Sequence, residues 1–179
     1  MSTPLVIYGS VYGYTRRYAE WIAEDLGGHA IAAAEVTPEH LDAAGMLVIG
    51  ASDYAGKLTE ADRIRALAPA LRGHQLAYFT VSFSGTAGGT SPQKLDDVLR
   101  KSFGEAYDQT APTAHFRGGL DFTRLSRTHR TAMIGIRAFM KSKREKTVTD
   151  RQMIEAYGGT VDYSDRAELA PFIARLRAF

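Results

Sequence analysis

The chain has 179 residues, 45% of them hydrophobic, and a formal net charge of +2. That length fits one domain with a sizeable core, and no apolar run approaches the length that spans a bilayer. Cysteine is absent, which excludes disulfides, thiolate-held iron–sulfur clusters and thiol catalysis and agrees with a cytoplasmic setting. The N-terminus does not read as a signal peptide, because no basic segment precedes an apolar stretch and no cleavage site follows. The five histidines are scattered without HExxH or paired spacing, so no metal site is expected.

The first predicted strand is Leu5–Tyr8. It runs into Gly9-Ser10-Val11-Tyr12-Gly13-Tyr14-Thr15, and an amphipathic helix, Thr15–Leu26, follows at once with Tyr18, Ile22 and Leu26 on one face. A strand that turns sharply into a helix leaves free N–H groups at the positive end of the helix dipole, where a phosphate is favoured. Ser10 and Thr15 add hydroxyls, and Gly9 and Gly13 let the backbone bend and come close to a ligand. Gly, Ser and Thr also fill many turns that bind nothing, so the loop alone leaves both readings open. It is neither GxxxxGK[ST] nor GxGxxG, so a P-loop NTPase and a dinucleotide fold are unsupported.

Further strands are expected at Ala30–Glu35, Met46–Ala51, Leu76–Ser82 and Ala114–Leu120. Helices are expected at Glu60–Leu71, at Gln93–Phe103 (opened by Ser91-Pro92) and at Asp165–Arg177. Glu39–Ala44 is too short, and too close to the next strand, to assign. The first, third and fourth strands are nearly continuous apolar runs, as in parallel strands covered on both faces. Strands alternating with helices imply right-handed βαβ crossovers. Five of them opened by a phosphate loop fit an α/β, three-layer, doubly wound sandwich with a parallel sheet in order 2-1-3-4-5. A ligand then sits at the carboxyl ends of the strands. The loops Ser52–Leu58 and Phe83–Thr90 open on that same edge. Tyr54 and Phe83 can wall a flat heteroaromatic ligand, or be ordinary loop aromatics.

Charge is unevenly spread. From Arg117 to Lys146 there are nine Lys or Arg residues against two acids, Asp121 and Glu145, and the remainder of the chain is net acidic. Such asymmetry points to an anionic partner. Within this segment Thr128–Arg144 is an amphipathic helix, with Met133, Ile136 and Met140 at helical spacing and Ile134 and Phe139 at the margin. It can lie on an anionic membrane, bind a carboxylate-bearing substrate, or simply pack its stripe on the sheet. Aromatic residues are sparse there, so nucleic acid is not expected.

Together these residues resemble the flavodoxin superfamily. Ser10, Gly13 and Thr15 match its [ST]xxGxT phosphate loop, while Val48–Tyr54 and the loop after Val81 resemble its second and third FMN loops. The resemblance implies a flavodoxin-like fold and FMN as cofactor. It implies binding by Ser10, Val11, Tyr12, Gly13, Tyr14 and Thr15, by Ser52, Asp53, Tyr54, Ala55 and Gly56, and by Ser82, Phe83, Ser84 and Gly85. One domain over 1–179 is expected, with a basic insertion at about 121–150 after the fifth strand.

Gly118-Gly119-Leu120 and the Arg/Met/Ile-rich stretch through Arg130, Met133, Ile134, Ile136, Phe139, Met140 and Lys141 are similar to the flavodoxin-type, menaquinone-dependent protoporphyrinogen oxidases of bacteria. Arg151–Tyr163 does not obviously match that pattern. The resemblance implies an FMN oxidoreductase acting on a porphyrinogen or quinone-linked substrate. The amphipathic, cation-rich stretch 124–146 adds peripheral contact at the inner face of the membrane as one expectation for an otherwise cytoplasmic protein. The alternatives are an electron-carrier flavodoxin and a scaffold that has lost the flavin. Carriers meet partners through an acidic face, whereas this chain is basic, with a pI near 8.9. No general acid or base is assigned. Asp53, Tyr54 and His115 are the ionisable residues near the expected ligand edge, and His115 reads as a satisfied residue inside the fifth strand. Arg16 and Arg17 read as exposed cations of a first helical turn.

Overall fold

The computed structural model describes residues 3–54 and 56–179. Five parallel strands form the sheet: β1 (Thr3–Gly9), β2 (His29–Ala32), β3 (Ala44–Tyr54), β5 (Gln75–Ser82) and β6 (Thr113–Arg117), in order β2-β1-β3-β5-β6. This is the expected doubly wound order. The short β4 (Lys57–Leu58) only folds back antiparallel on the end of β3.

Alternation along each strand feeds two cores. Leu5 and Ile7 of β1, Leu47 and Ile49 of β3 and Tyr78 of β5 face one layer. That layer holds α2 (Pro38–Asp42), α3 (Ala61–Ala66), α4 (Ala68–Leu71) and α5 (Pro92–Phe103), with Leu41, Ile64, Leu71 and Leu99 packed inward. Val6, Val48, Ala77 and Phe79 face the other layer. There they meet Tyr18 and Ile22 of α1 (Tyr14–Leu26) and Phe172 and Ile173 of α8 (Ala170–Ala178). Central strands buried on both faces explain the uninterrupted apolar runs.

Several expected elements come out differently; the helix expected from Asp165, for one, opens as a 3-10 turn over Arg166–Leu169. The helix expected over Glu60–Leu71 is broken into α3 and α4, because Pro69 lacks an N–H and its ring crowds the preceding turn. The second strand stops at Ala32, and 33–35 form a 3-10 turn. The fifth strand leaves the sheet at Arg117 and does not continue to Leu120.

Beyond that point β7 (Gly119–Asp121) pairs antiparallel with β8 (Thr160–Asp162). Backbone can pass there only without side chains: a Cβ on Gly118 would lie 2.8 Å from Val81 Cγ1, and one on Gly119 would lie 2.6 Å from the Tyr14 ring. Between β7 and β8 stand α6 (Arg127–Ser142) and α7 (Val148–Glu155). The four elements share a small core of Leu120, Phe122, Leu125 and Met133, with Ile136, Met153, Tyr157 and Val161 packed against it. Thr147 and Asp150 cap α7 reciprocally, and Lys143 pairs with the buried Asp150 carboxylate at 2.8 Å. Residues 119–162 thus form a small cation-rich unit beside the carboxyl edge of the sheet.

Candidate cofactor site

The loops after β1, β3 and β5 lie side by side because those strands are neighbours. In the first loop Gly13 takes φ +94°, a left-handed conformation that favours glycine, and its N–H donates to Ser10 Oγ at 3.1 Å. Gly9 is needed for a different contact from the one expected: a Cβ there would lie 2.5 Å from the Thr59 carbonyl oxygen, so its close approach is to the chain itself. No side chain caps α1, and its first turn carries no acid. Thr15 is fully buried, and its Oγ1 has no partner among the described residues. Arg16 is exposed and pairs with Glu20 at 2.7 Å, while Arg17 pairs with Asp162.

The second loop is held by Ser52, whose Oγ meets Thr59 Oγ1 at 2.8 Å. Asp53 Oδ1 accepts the Gly56 N–H at 2.7 Å, and burial raises the Asp53 pKa against that bond and the Lys94 charge. Burial likewise pushes up the Tyr54 phenol. Ala55 lies outside the described residues. In the third loop Ser82 Oγ accepts the Gly85 N–H at 2.9 Å, and Ser84 Oγ meets Thr90 Oγ1 at 2.7 Å. Phe83 meets Tyr163 edge-on with centroids 5.5 Å apart. Its carbonyl accepts Arg117 Nε, whose guanidinium lies 3.9 Å over the Tyr163 ring.

The cation-rich unit closes against these loops. Tyr12 Oη and His129 Nδ1 share a hydrogen bond at 2.7 Å. The His129 ring stacks on Tyr54 at 5.0 Å, and Tyr12 meets Tyr54 edge-on at 5.7 Å. Arg124 Nη1 donates to the Tyr12 carbonyl at 3.3 Å, and Tyr12 and Phe83 both pack on the unit's small core. Sequence reasoning missed Arg124, His129 and Tyr163. Charge asymmetry marks the segment but carries no signal for where its first helical turn lands.

His115 does not belong to this edge. It sits opposite Thr80 within the sheet, with Nδ1 2.8 Å from Thr80 Oγ1 and Nε2 3.0 Å from Asp96 Oδ1. Burial lowers its pKa, and Asp96 opposes that shift. It is the satisfied strand histidine that the sequence suggests.

A parallel sheet with an uncapped helix start and three loops at one edge defines a nucleotide-type binding protein. The chain belongs to the flavodoxin domain family, which it matches over residues 5–150. No curated protein matches it. Among solved structures it is similar to a cysteine-to-alanine mutant of flavodoxin from Pseudomonas aeruginosa, at 19% identity over 74% of this chain and 92% of that one, with TM-score 0.44. A flavodoxin from the domain Archaea is 16% identical over 86% and 94% of the two chains, with TM-score 0.44. Oxidised flavodoxin 1 from Bacillus cereus is 18% identical over 63% and 84%, with TM-score 0.42. The family assignment rests on the sequence match.

FMN is the cofactor of this flavodoxin-like protein, and the residues present fit it. A buried hydroxyl without a partner and an uncapped helix start are both satisfied by a phosphate monoester. Among the described residues no helix is long and apolar enough to cross a membrane.

Proposed function

We propose that the protein is an FMN-dependent oxidoreductase of the protoporphyrinogen oxidase type, passing electrons from a carboxylate-bearing substrate to a quinone. In this reading residues 10–15 hold the phosphate, and residues 52–56 and 82–85 hold the flavin ring, with Tyr54 and Phe83 as its aromatic walls. The observation that carries it is the unit over 119–162. Between 122 and 144 it has seven Lys or Arg residues and no acid, and it touches the cofactor loops through His129, Tyr12 and Tyr54. An anionic substrate reaching the flavin edge therefore meets cations able to form charge-assisted hydrogen bonds. FMN, when bound, supplies the redox chemistry, and the protein supplies binding, orientation and field.

Ile134, Phe139 and Val148 are exposed large hydrophobic residues on this unit, set among the exposed Arg127, Lys141 and Arg144. That mixture supports peripheral docking on an anionic membrane, where a quinone is dissolved. An electron carrier fits less well, since its cofactor edge would be flanked by cations and not by an acidic face.

Steady-state turnover separates the two readings. Oxidation of protoporphyrinogen with a menaquinone analogue as acceptor is expected, with little reduction by a ferredoxin reductase. The opposite pattern makes the protein a carrier. Co-sedimentation with anionic vesicles at low salt is expected of the full chain, and failure to sediment removes the membrane contact.

A further inference from the structure

A phosphate monoester carries close to two negative charges at neutral pH, yet no cation lies within 10–15. The two cations of the first turn of α1 are already matched, Arg16 by Glu20 and Arg17 by Asp162. Arg124 is placed differently. It follows β7, is exposed, and makes no ion pair among the described residues. Among the described residues its one side-chain hydrogen bond is to the first loop, 112 positions away in sequence, where Nη1 donates to the Tyr12 carbonyl at 3.3 Å. Its charge is also felt at Tyr14, where it opposes the upward shift that burial imposes. Tyr12 and Tyr14 flank Gly13, so the guanidinium stands over the turn that opens α1. In that turn the Thr15 hydroxyl is buried without a partner.

We propose that Arg124 is the countercharge of the FMN phosphate, delivered to the first loop by the cation-rich unit. This rests on residues 10–15 holding that phosphate. It makes the unit part of the cofactor site: the backbone amides of the first loop orient the phosphate, and Arg124 offsets its charge through space and at the loop surface. The bond to Tyr12 fixes where that charge sits.

The test is titration of the apoprotein with FMN and with riboflavin, followed by quenching of flavin fluorescence, at low and high salt. Arg124→Gln is expected to weaken FMN binding roughly tenfold, as loss of one charge-assisted contact does, and to leave riboflavin binding unchanged. The salt dependence of FMN binding should shrink in the same variant. Arg124→Lys should recover most of the affinity. Equal weakening of both ligands would mean that Arg124 only props up the loop, and unchanged FMN affinity would mean that it faces no phosphate. Either result overturns the assignment.

Thr15→Val separates this failure from failure of the loop reading. If Thr15→Val reduces the preference for FMN over riboflavin and Arg124→Gln does not, the loop stands and Arg124 falls. If the unmodified protein binds both flavins equally, both fall.

Discussion

The doubly wound sheet and the unit over 119–162 are held together in different ways. The sheet is stabilised by large side chains with no exposure, such as Ile7, Ile49, Tyr78 and Phe79, on both of its faces. The appended unit buries only a small cluster and relies on polar clamps. Lys143 pairs with Asp150, Arg137 lies 4.2 Å over Tyr157, and Arg117 reaches Gln152 at 2.9 Å. Apolar burial scales with area, so the sheet carries most of the stability. The clamps fix position more than they add net energy, since desolvating the buried Asp150 carboxylate offsets much of what its pairing with Lys143 gains. A rigid frame can thus hold the cofactor loops while a weaker attachment presents the charge.

The largest expected effect is in the frame. Phe79→Ala should cost about 3–5 kcal/mol in urea unfolding, because the ring packs against Phe116 and over Gly50, leaving a cavity when removed. Met133→Ala should cost about 2 kcal/mol, seen as lost hydrogen-exchange protection in α6 and α7 with the sheet still protected. Equal loss of protection in both regions would show that they unfold as one body.

Next in size is Thr15→Val, in the first turn of α1. Removing a hydroxyl that has no partner should leave the apoprotein as stable or more stable, by up to about 1 kcal/mol in thermal unfolding. FMN affinity should fall roughly tenfold in the same variant. A less stable apoprotein would mean that the hydroxyl has a partner within the fold.

The smallest effect is on pH dependence, and it separates the regions by titration. Burial lowers the His115 pKa from 6.5, so the unfolded chain takes up the proton first. The stability of the sheet should therefore decline as pH falls below 6.5 until the lower folded pKa is reached. His115→Gln should flatten that decline in urea titrations. Lys143, with Thr147 helping, holds the Asp150 carboxyl below its ordinary 3.8. That contribution is complete above 3.8 and is lost as pH falls through the lower folded value, so the appended unit should respond only in stronger acid.

The sheet is legible in sequence because its strands are buried on both faces: Leu47, Val48 and Ile49 leave no polar residue to confuse the reading. The phosphate loop is legible because Ser10, Gly13 and Thr15 stand at the join of a strand and a helix. Pro69 is equally visible, and its missing N–H is the signal that the helical stretch over Glu60–Leu71 must break. The β7–β8 ribbon is not legible, since two three-residue strands about 40 positions apart leave no periodicity to detect. The Thr147–Asp150 spacing does signal a helix start, and α7 can be found from it. His129 cannot, because its partners Tyr12 and Tyr54 come from loops that meet it only in three dimensions.

The two glycines at 118 and 119 have a consequence for how this architecture can vary. With a methyl group at 119 only 2.6 Å from the phenol ring of α1 and 2.3 Å from the carbonyl of Val161, there is no slack at the crossing. Any side chain there would push the appended unit off the start of α1 and disturb the adjoining β7–β8 pairing. How closely the appended unit seats against α1 is therefore set by two missing methyl groups, a fit that no change in the surrounding arginines and lysines can restore.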